Sequence, residues 1–242
     1  MKKIYLVGLG PGNPQAITRQ SLFMLKQIKH VYLRTVRHPG VKVLRDHHIS
    51  FKPLDFFYKR GETFSEVYRQ IAYFVLNAAL HFGTVAYVVP GSPLFAEKAV
   101  EIIMEKAGAV GVECRVLPAV SFLEAVTAEL QLPREKELLV LDALETDKLL
   151  SAPDKNLLIM QAYNDRIAST VKLELLKLYP PEHPITLLRG AGVPRNKRIA
   201  TVPLYQIDRQ HWIDHLTTLY VPPLTRYNIS DLLQVMRILR SE

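Results

Sequence analysis

The chain has 242 residues, 48% of them hydrophobic and 22% charged. That balance supports one large or two compact folded domains and excludes a disordered or collagen-like chain. No apolar run approaches the roughly 18 residues a membrane span needs, and the Met1-Lys2-Lys3 start runs at once into Gly8, Gly10, Pro11 and Gly12 instead of a signal-peptide core. A single cysteine, Cys114, can neither close an internal disulfide nor supply a cysteine zinc cluster. A cytoplasmic protein with no membrane partner and no metal is expected.

Net charge is +8, but residues 1–60 alone carry +10, with Asp46 and Asp55 as their only acids, and the remainder carries −2. The cluster Arg34, Arg37, Lys42 and Arg45 favours an anionic partner: a nucleotide, a polycarboxylate or nucleic acid. A solvated basic face is the plainer alternative, because no aromatic residues interleave with the cations at a repeated spacing.

In chain order, residues 3–7 form an apolar run ending in a glycine-rich turn. Asn13 as N-cap and Pro14 at the first helical position predict a helix continuing through Ile17, Leu22, Leu25 and Ile28. A strand is expected at 31–33. The capping box of Thr63 and Glu66 opens a long helix that Gly83 closes, and Thr84–Val89 reads as a buried strand. After the turn at 90–93 a helix is expected through Ile102 and Ile103, then a strand at 113–117 and a second capping box, Ser121 with Glu124. Strands are predicted at 138–141, 157–160, 185–188 and 199–202, with a helix at 171–178. This alternation predicts α/β layers. Pro118 is a candidate hinge, giving an α/β lobe at 1–117 and a second at 118–223. Beyond Val221-Pro222-Pro223, Asn228 or Ser230 caps an amphipathic helix bearing Leu232, Leu233, Val235, Met236 and Leu239, so 224–242 reads as a connector helix.

The turn Gly8-Leu9-Gly10-Pro11-Gly12 fails the dinucleotide fingerprint, since Asn13 stands where the third glycine belongs and no acid occurs at 31–33. No Gly-Lys-Ser/Thr follows for a phosphate loop. Instead a related device recurs: Gly10-Pro11-Gly12, Pro90-Gly91-Ser92-Pro93 and Pro118-Ala119-Val120-Ser121 each sit between a strand end and a helix start. Small residues let a ligand approach the backbone, helix-start amides donate, and open α/β sheets bind ligands at that edge. Together the turns point to one nucleoside-like ligand, with ordinary tight turns as the alternative. His38, His47 and His48 lack metal-ligand spacing. Ser92 and Ser121 lack the nucleophile-elbow pattern and suit helix caps better. Cys114 in its apolar strand reads as an inert thiol, and Met160 as core. No catalytic residue is assigned.

The stretches GLGPG at 8–12, PGSP at 90–93, PAVS at 118–121, Met160 at a strand end and RGAG at 189–192 resemble the tetrapyrrole (corrin/porphyrin) methylase superfamily, over residues 1 to about 221. Further stretches are similar to the methylase-like domain that precedes a MazG-type nucleotide pyrophosphohydrolase: YLRTVRHPGV at 32–41, NDRIASTVKLELLKLYP at 164–180, HPITLLRGAGVP at 183–194 and WIDHLTTLYVPPL at 212–224. The resemblance implies a two-lobed fold with S-adenosylmethionine in a cleft between the lobes, S-adenosylhomocysteine as product, and a homodimer. By position it implies cofactor contacts from Pro11, from Gly91, Ser92, Pro93 and Phe95, from Ser121 and Phe122, and from Met160, Gly190 and Ala191. Two departures stand out: the superfamily's usual Gly-Asp-Pro is Gly91-Ser92-Pro93 here, and its Pro-Gly hinge is Pro118-Ala119, which alanine tolerates only at negative φ.

The resulting expectation is a SAM-dependent methyltransferase with an unidentified, anionic small-molecule acceptor, a tetrapyrrole among the candidates. Methyl transfer from a sulfonium needs little acid–base help, so the lack of a catalytic dyad is compatible with it. The rival is a non-catalytic SAM-binding or regulatory module joined to a nucleotide pyrophosphohydrolase domain in a longer protein. An RNA methyltransferase ranks below both, because the branch-specific stretches point elsewhere, and nucleic acid is not the expected partner.

Overall fold

The apolar run near the start of the chain forms strand β1 (Lys3–Gly8), with Ile4 and Leu6 in one layer of core and Val7 in another. Burial on both faces is what a central strand of a parallel sheet requires. The computed structural model describes residues 2–59, 61, 63–132, 137–193 and 197–224. The chain divides into two compact units, Met1–Leu130 with Ala191–Pro194, and Gln131–Gly190 with Arg195–Glu242. Apart from Leu224, the connector helix expected at 224–242 lies outside the described residues.

The first unit continues with α1 (Arg19–Gln27), β2 (His30–Leu33), α2 (Val41–Asp46), β3 (Lys52–Pro53), α3 (Phe64–Phe82), β4 (Thr84–Val89), α4 (Lys98–Ala107), β5 (Glu113–Val116) and α5 (Phe122–Glu129). Its sheet is parallel throughout, in the order β3-β2-β4-β1-β5. Residues of α3 and α4, among them Val67, Ile71, Val75 and Ile103, share a core with Ile4, Leu6 and Tyr87, while Leu25 of α1 and Leu44 of α2 pack with Val7, Leu33 and Val88. Each such side chain contributes about 1.5–3 kcal/mol by leaving water. Gly8 pairs with Val89, so β1 and β4 end side by side.

One helix expected between Asn13 and Ile28 is broken in two. Asn13 caps only a 3-10 turn, Pro14–Ala16, by accepting from the Gln15 amide. Ile17 and Thr18 are then extended, and the Thr18 hydroxyl accepts from the Ser21 amide to start α1 afresh. A β-branched pair whose second member can cap favours that restart over continuation. The helix after the second turn begins only at Lys98, and α2 is too short for periodicity to reveal. The helix α5 groups with the first unit, beyond the hinge expected at Pro118.

The second unit holds β6 (Leu138–Asp142), β7 (Asn156–Met160), α6 (Asp165–Leu175), β8 (Pro184–Arg189), β9 (Arg198–Pro203) and β10 (Thr217–Val221), its sheet ordered β6-β7-β10-β8-β9. β6 and β7 are parallel, whereas β10 runs antiparallel to both β7 and β8, and β8 pairs antiparallel with β9. α6 starts earlier than its apolar spacing suggested because Asn164 accepts from the Ile167 amide. β10 has no counterpart among the predicted strands, yet it occupies the centre of this sheet.

Candidate functional site

Three turns separated in sequence meet at Gly8. A Cβ placed there would lie 2.2 Å from the Gly91 carbonyl oxygen, 2.7 Å from Ala119 Cβ and 3.0 Å from Pro93 Cδ. The first turn is fastened to the second by an isolated bridge, Gly10 N donating to Gly91 O at 3.1 Å and Gly91 N to Gly10 O at 2.9 Å. It is fastened to the third by the Thr18 hydroxyl, which donates to Pro118 O at 3.3 Å. Parallel pairing explains the convergence, because β4, β1 and β5 are neighbours and end on the same edge of the sheet.

The turns differ in what their backbone demands. Gly10 and Gly91 have φ of 76° and 64°, a region that favours glycine. Around a Cβ at Gly91 nothing lies within 4 Å, so this position faces open space into which a ligand could fit. Ala119 is not at positive φ, so alanine is accommodated there. Ser92 is buried and its hydroxyl accepts from the Leu94 amide at 3.5 Å. Phe95 and Phe122, both half-buried, meet edge to face with centroids 5.7 Å apart, which joins the second turn to the start of α5. Ser121 caps that helix with a full capping box: its hydroxyl accepts from the Leu123 amide at 3.1 Å, and its amide donates to Glu124 Oε2 at 2.8 Å. Burial pushes the Glu124 carboxyl up, but hydrogen bonds from Ser121 and the backbone hold it below its ordinary value.

The fourth motif also reaches this unit. A Cβ at Gly192 would lie 2.8 Å from Pro11 Cγ and 3.1 Å from Ala125 Cβ, and one at Gly12 would lie 2.6 Å from Val193 Cγ2. Among the residues singled out in sequence, Pro11, Gly91, Ser92, Pro93, Phe95, Ser121, Phe122 and Ala191 therefore share the first unit. Met160 and Gly190 belong to the second. There Met160 ends β7 and is half-buried, Gly190 has φ 68° with its amide bound to Leu216 O, and Gln161 adopts φ 64° while donating to Asp142 Oδ2 at 2.8 Å.

At the same edge stands a polar cluster that the sequence did not announce. Arg34 follows β2 directly, its amide bound to Val88 O, and its Nη1 contacts Glu97 Oε1 at 2.8 Å. Glu97 is 6% exposed and is introduced by Ala96 at φ 53°, a strained conformation for a side chain with a Cβ. Glu97 Oε2, Arg34 Nε and the Tyr87 hydroxyl are buried without hydrogen-bond partners. Burial pushes the Glu97 carboxyl up to about 7 against the pull of Arg34, and burial with Arg34 brings His38 down to about 4. Burial opposes the Arg34 charge, yet the facing carboxylate raises its pKa. In sequence Arg34 was one cation of a basic cluster and Glu97 had no motif, so only their approach in space identifies them.

Among the described residues no group of His, Cys, Asp and Glu could hold a metal ion, and no helix is long and apolar enough to cross a membrane. His38 Nδ1 accepts from the Gly40 amide, and burial raises the Cys114 thiol.

Comparison with known proteins bears on the family and the fold. The family described as Tetrapyrrole (Corrin/Porphyrin) Methylases matches residues 3–208. YabN of Bacillus subtilis (strain 168), named as an uncharacterized protein, is 33% identical over 224 residues, which is 92% of this chain but 45% of that protein. The chain thus spans less than half of this relative. Among solved structures, uroporphyrin-III-C-methyltransferase from Thermus thermophilus aligns with a TM-score of 0.72 at 21% identity, covering 92% of this chain and 94% of that one. The cobalt precorrin-4 methyltransferase CbiF aligns with 0.72 at 16%, covering 91% and 95%, and diphthine synthase with 0.70 at 14%, covering 96% and 95%. At these identities the likeness is one of fold. The match over most of the sequence shows that the chain belongs to the tetrapyrrole (corrin/porphyrin) methylase family.

Proposed function

We propose that this chain is an S-adenosylmethionine-dependent methyltransferase acting on an anionic small-molecule acceptor, with a tetrapyrrole as the first class to try. The observation that carries this reading is the meeting of the turns at Gly8, in a chain of this family, around a Gly91 that faces open space. When bound, the cofactor supplies a methyl group already activated by its sulfonium, so the protein's work is alignment and exclusion of water. The turn from Gly91 to Phe95 offers backbone to the nucleoside, the Phe95 and Phe122 rings offer an apolar wall, and Pro11, Ser121 and Ala191 complete the set in the first unit. Met160 and Gly190 are the contacts proposed from the second. Ser92 in place of a carboxylate shifts recognition of the ribose toward backbone groups.

Calorimetric titration of the purified chain with S-adenosylmethionine and S-adenosylhomocysteine tests the reading. Saturable binding of both is expected, and no heat at millimolar ligand would overturn it. Transfer of labelled methyl to a tetrapyrrole extract then tests catalysis. A homodimer is part of the proposal and is read from the sedimentation of the same sample.

The limited coverage of YabN supports a second reading, a SAM-binding regulatory module within a longer protein that carries a MazG-type nucleotide pyrophosphohydrolase. Reading the gene beyond Glu242 separates the two: a downstream domain rich in Glu-x-x-Glu favours the module, and methyl transfer favours the enzyme. RNA methylation stays below both and predicts RNA affinity that falls steeply with salt.

A further inference from the structure

We propose that Arg34 anchors an anionic oxygen group of the methyl acceptor, a carboxylate or a phosphate, and that Glu97 becomes fully protonated when that group binds. The inference rests on the methyltransferase reading for what the ligand is, and on the Arg34–Glu97 geometry for where it sits.

Arg34 stands at the carboxyl end of β2 beside the end of β4, the edge at which the Gly91 turn also lies. Open α/β sheets bind ligands at this edge. Among the described residues, its guanidinium is engaged through Nη1 by Glu97 Oε1, while Nε is buried without a partner. A planar fork matched to carboxylate and phosphate is thus left partly unused. Of the Arg34 side chain 22% is exposed, against 5% for Glu97, so an incoming anion meets the guanidinium first.

Among the described residues, the titratable groups around the pair supply no second positive charge at physiological pH. They are Tyr87 on β4, Tyr58 on the 3-10 turn Asp55–Lys59, Tyr68 on α3 and His38 on the loop after β2. His38 is neutral at physiological pH, and burial holds Tyr58 up at about 12 and Tyr87 well above its ordinary value. In molecules whose Glu97 is ionised, a second anion at Arg34 therefore leaves two carboxylate-like charges against one cation in a buried setting. Like charges in such a site cannot both stay ionised cheaply, so one takes a proton. Glu97, the more buried of the two, is the group that does so: a solvent proton bonds to its carboxylate, and Arg34 is released to the ligand. Protonated Glu97 then needs an acceptor, and the unpartnered Tyr87 hydroxyl lies within electrostatic reach. Ala96, at φ 53°, immediately precedes Glu97.

The test is calorimetric titration of the full chain at pH 7 with uroporphyrin III as the carboxylate probe and inorganic pyrophosphate as the phosphate probe. Each titration is run in two buffers of different ionisation heat, with and without S-adenosylhomocysteine. One probe is expected to bind with net proton uptake, and which of them binds identifies the source of the anion. Glu97→Gln should bind that probe at least as tightly with no proton uptake. The double variant Arg34→Met with Glu97→Gln, which leaves no unpaired buried charge, should bind about tenfold or more weakly, the loss expected of a charge-assisted contact. Equal affinity in the double variant, proton uptake that survives in Glu97→Gln, or no binding of either probe by the folded chain would overturn the proposal. Anion binding without any S-adenosylhomocysteine binding would sink the cofactor reading and leave the subsite standing; the reverse result would sink the subsite alone.

Discussion

Gly10 and Gly91 exchange both of their backbone hydrogen bonds, at 3.1 and 2.9 Å, although they lie on turns that leave two different strands. The exchange is antiparallel in an otherwise parallel sheet, and it locks the first turn against the second just beyond the ends of β1 and β4. Each glycine holds a positive φ to make it. The junction between the two turns is therefore built from backbone and needs no side chain at position 92.

Gly8→Ala and Gly91→Ala are expected to differ sharply. The new methyl at position 8 collides with Gly91 O and Ala119 Cβ, so overpacking should cost about 3 kcal/mol and separate the turns. At position 91 the methyl meets nothing within 4 Å, and only the left-handed backbone is penalised, by about 1 kcal/mol. Urea unfolding of the two variants gives the order. A Gly8→Ala protein as stable as the Gly91→Ala protein would contradict the packing.

Ala96→Gly should stabilise the fold by about 0.5–1 kcal/mol, because φ 53° suits glycine and the relief exceeds the added freedom of the unfolded chain. The same change loosens the approach of Glu97 to Arg34. A gain in midpoint without a change in slope, measured by denaturant titration, is the expected signature.

Glu97 and His38 should tilt the pH dependence of stability in opposite directions. Burial raises Glu97 to about 7, so between its ordinary value and about 7 the native protein holds a proton that the unfolded chain lacks, and stability falls as pH rises. Burial and Arg34 lower His38 to about 4, so between about 4 and its ordinary value the unfolded chain holds the extra proton, and stability rises with pH. The two trends nearly cancel between roughly pH 5 and 6.5 in the unsubstituted protein. Glu97→Gln should leave stability rising by about 1 kcal/mol per pH unit in that window. His38→Asn, which keeps an acceptor for the Gly40 amide, should leave it falling by a similar amount. Chemical denaturation at several pH values reads both slopes, and parallel slopes in the two variants would refute the assignment.

In the second unit, Lys172 of α6 pairs with Asp208 at 2.5 Å, and both side chains are mostly covered. Lys172→Met should cost about 1–3 kcal/mol, since it strands a partly buried carboxylate. Burial pushes Asp208 up, but Lys172 holds it below its ordinary value, so the pair's stabilisation is present above the ordinary aspartate pKa and lost as pH falls below it. The deficit of the variant should therefore shrink in strong acid, as thermal unfolding near pH 3 and pH 7 would show.

Local chemistry was legible in the sequence wherever a few adjacent residues decide the outcome. Thr63 and Ser121 start their helices, Gly83 ends one, and Thr84–Val89 is a buried strand, because caps, glycine φ and continuous apolar runs act within a few residues. The three strand-end turns and the family were readable for the same reason. The break at Ile17 and Thr18 was not, because it depends on whether a threonine hydroxyl caps the Ser21 amide, as it does here, or faces solvent. β10 escaped prediction because its place between β7 and β8 is set by pairing with partners distant in sequence. The tertiary structure alone decided that the turns meet at Gly8 and that Arg34 meets Glu97. Parallel strand order brings residues far apart in sequence to one sheet edge, and it is burial there, not residue type, that raises one carboxylate and leaves one guanidinium partly free.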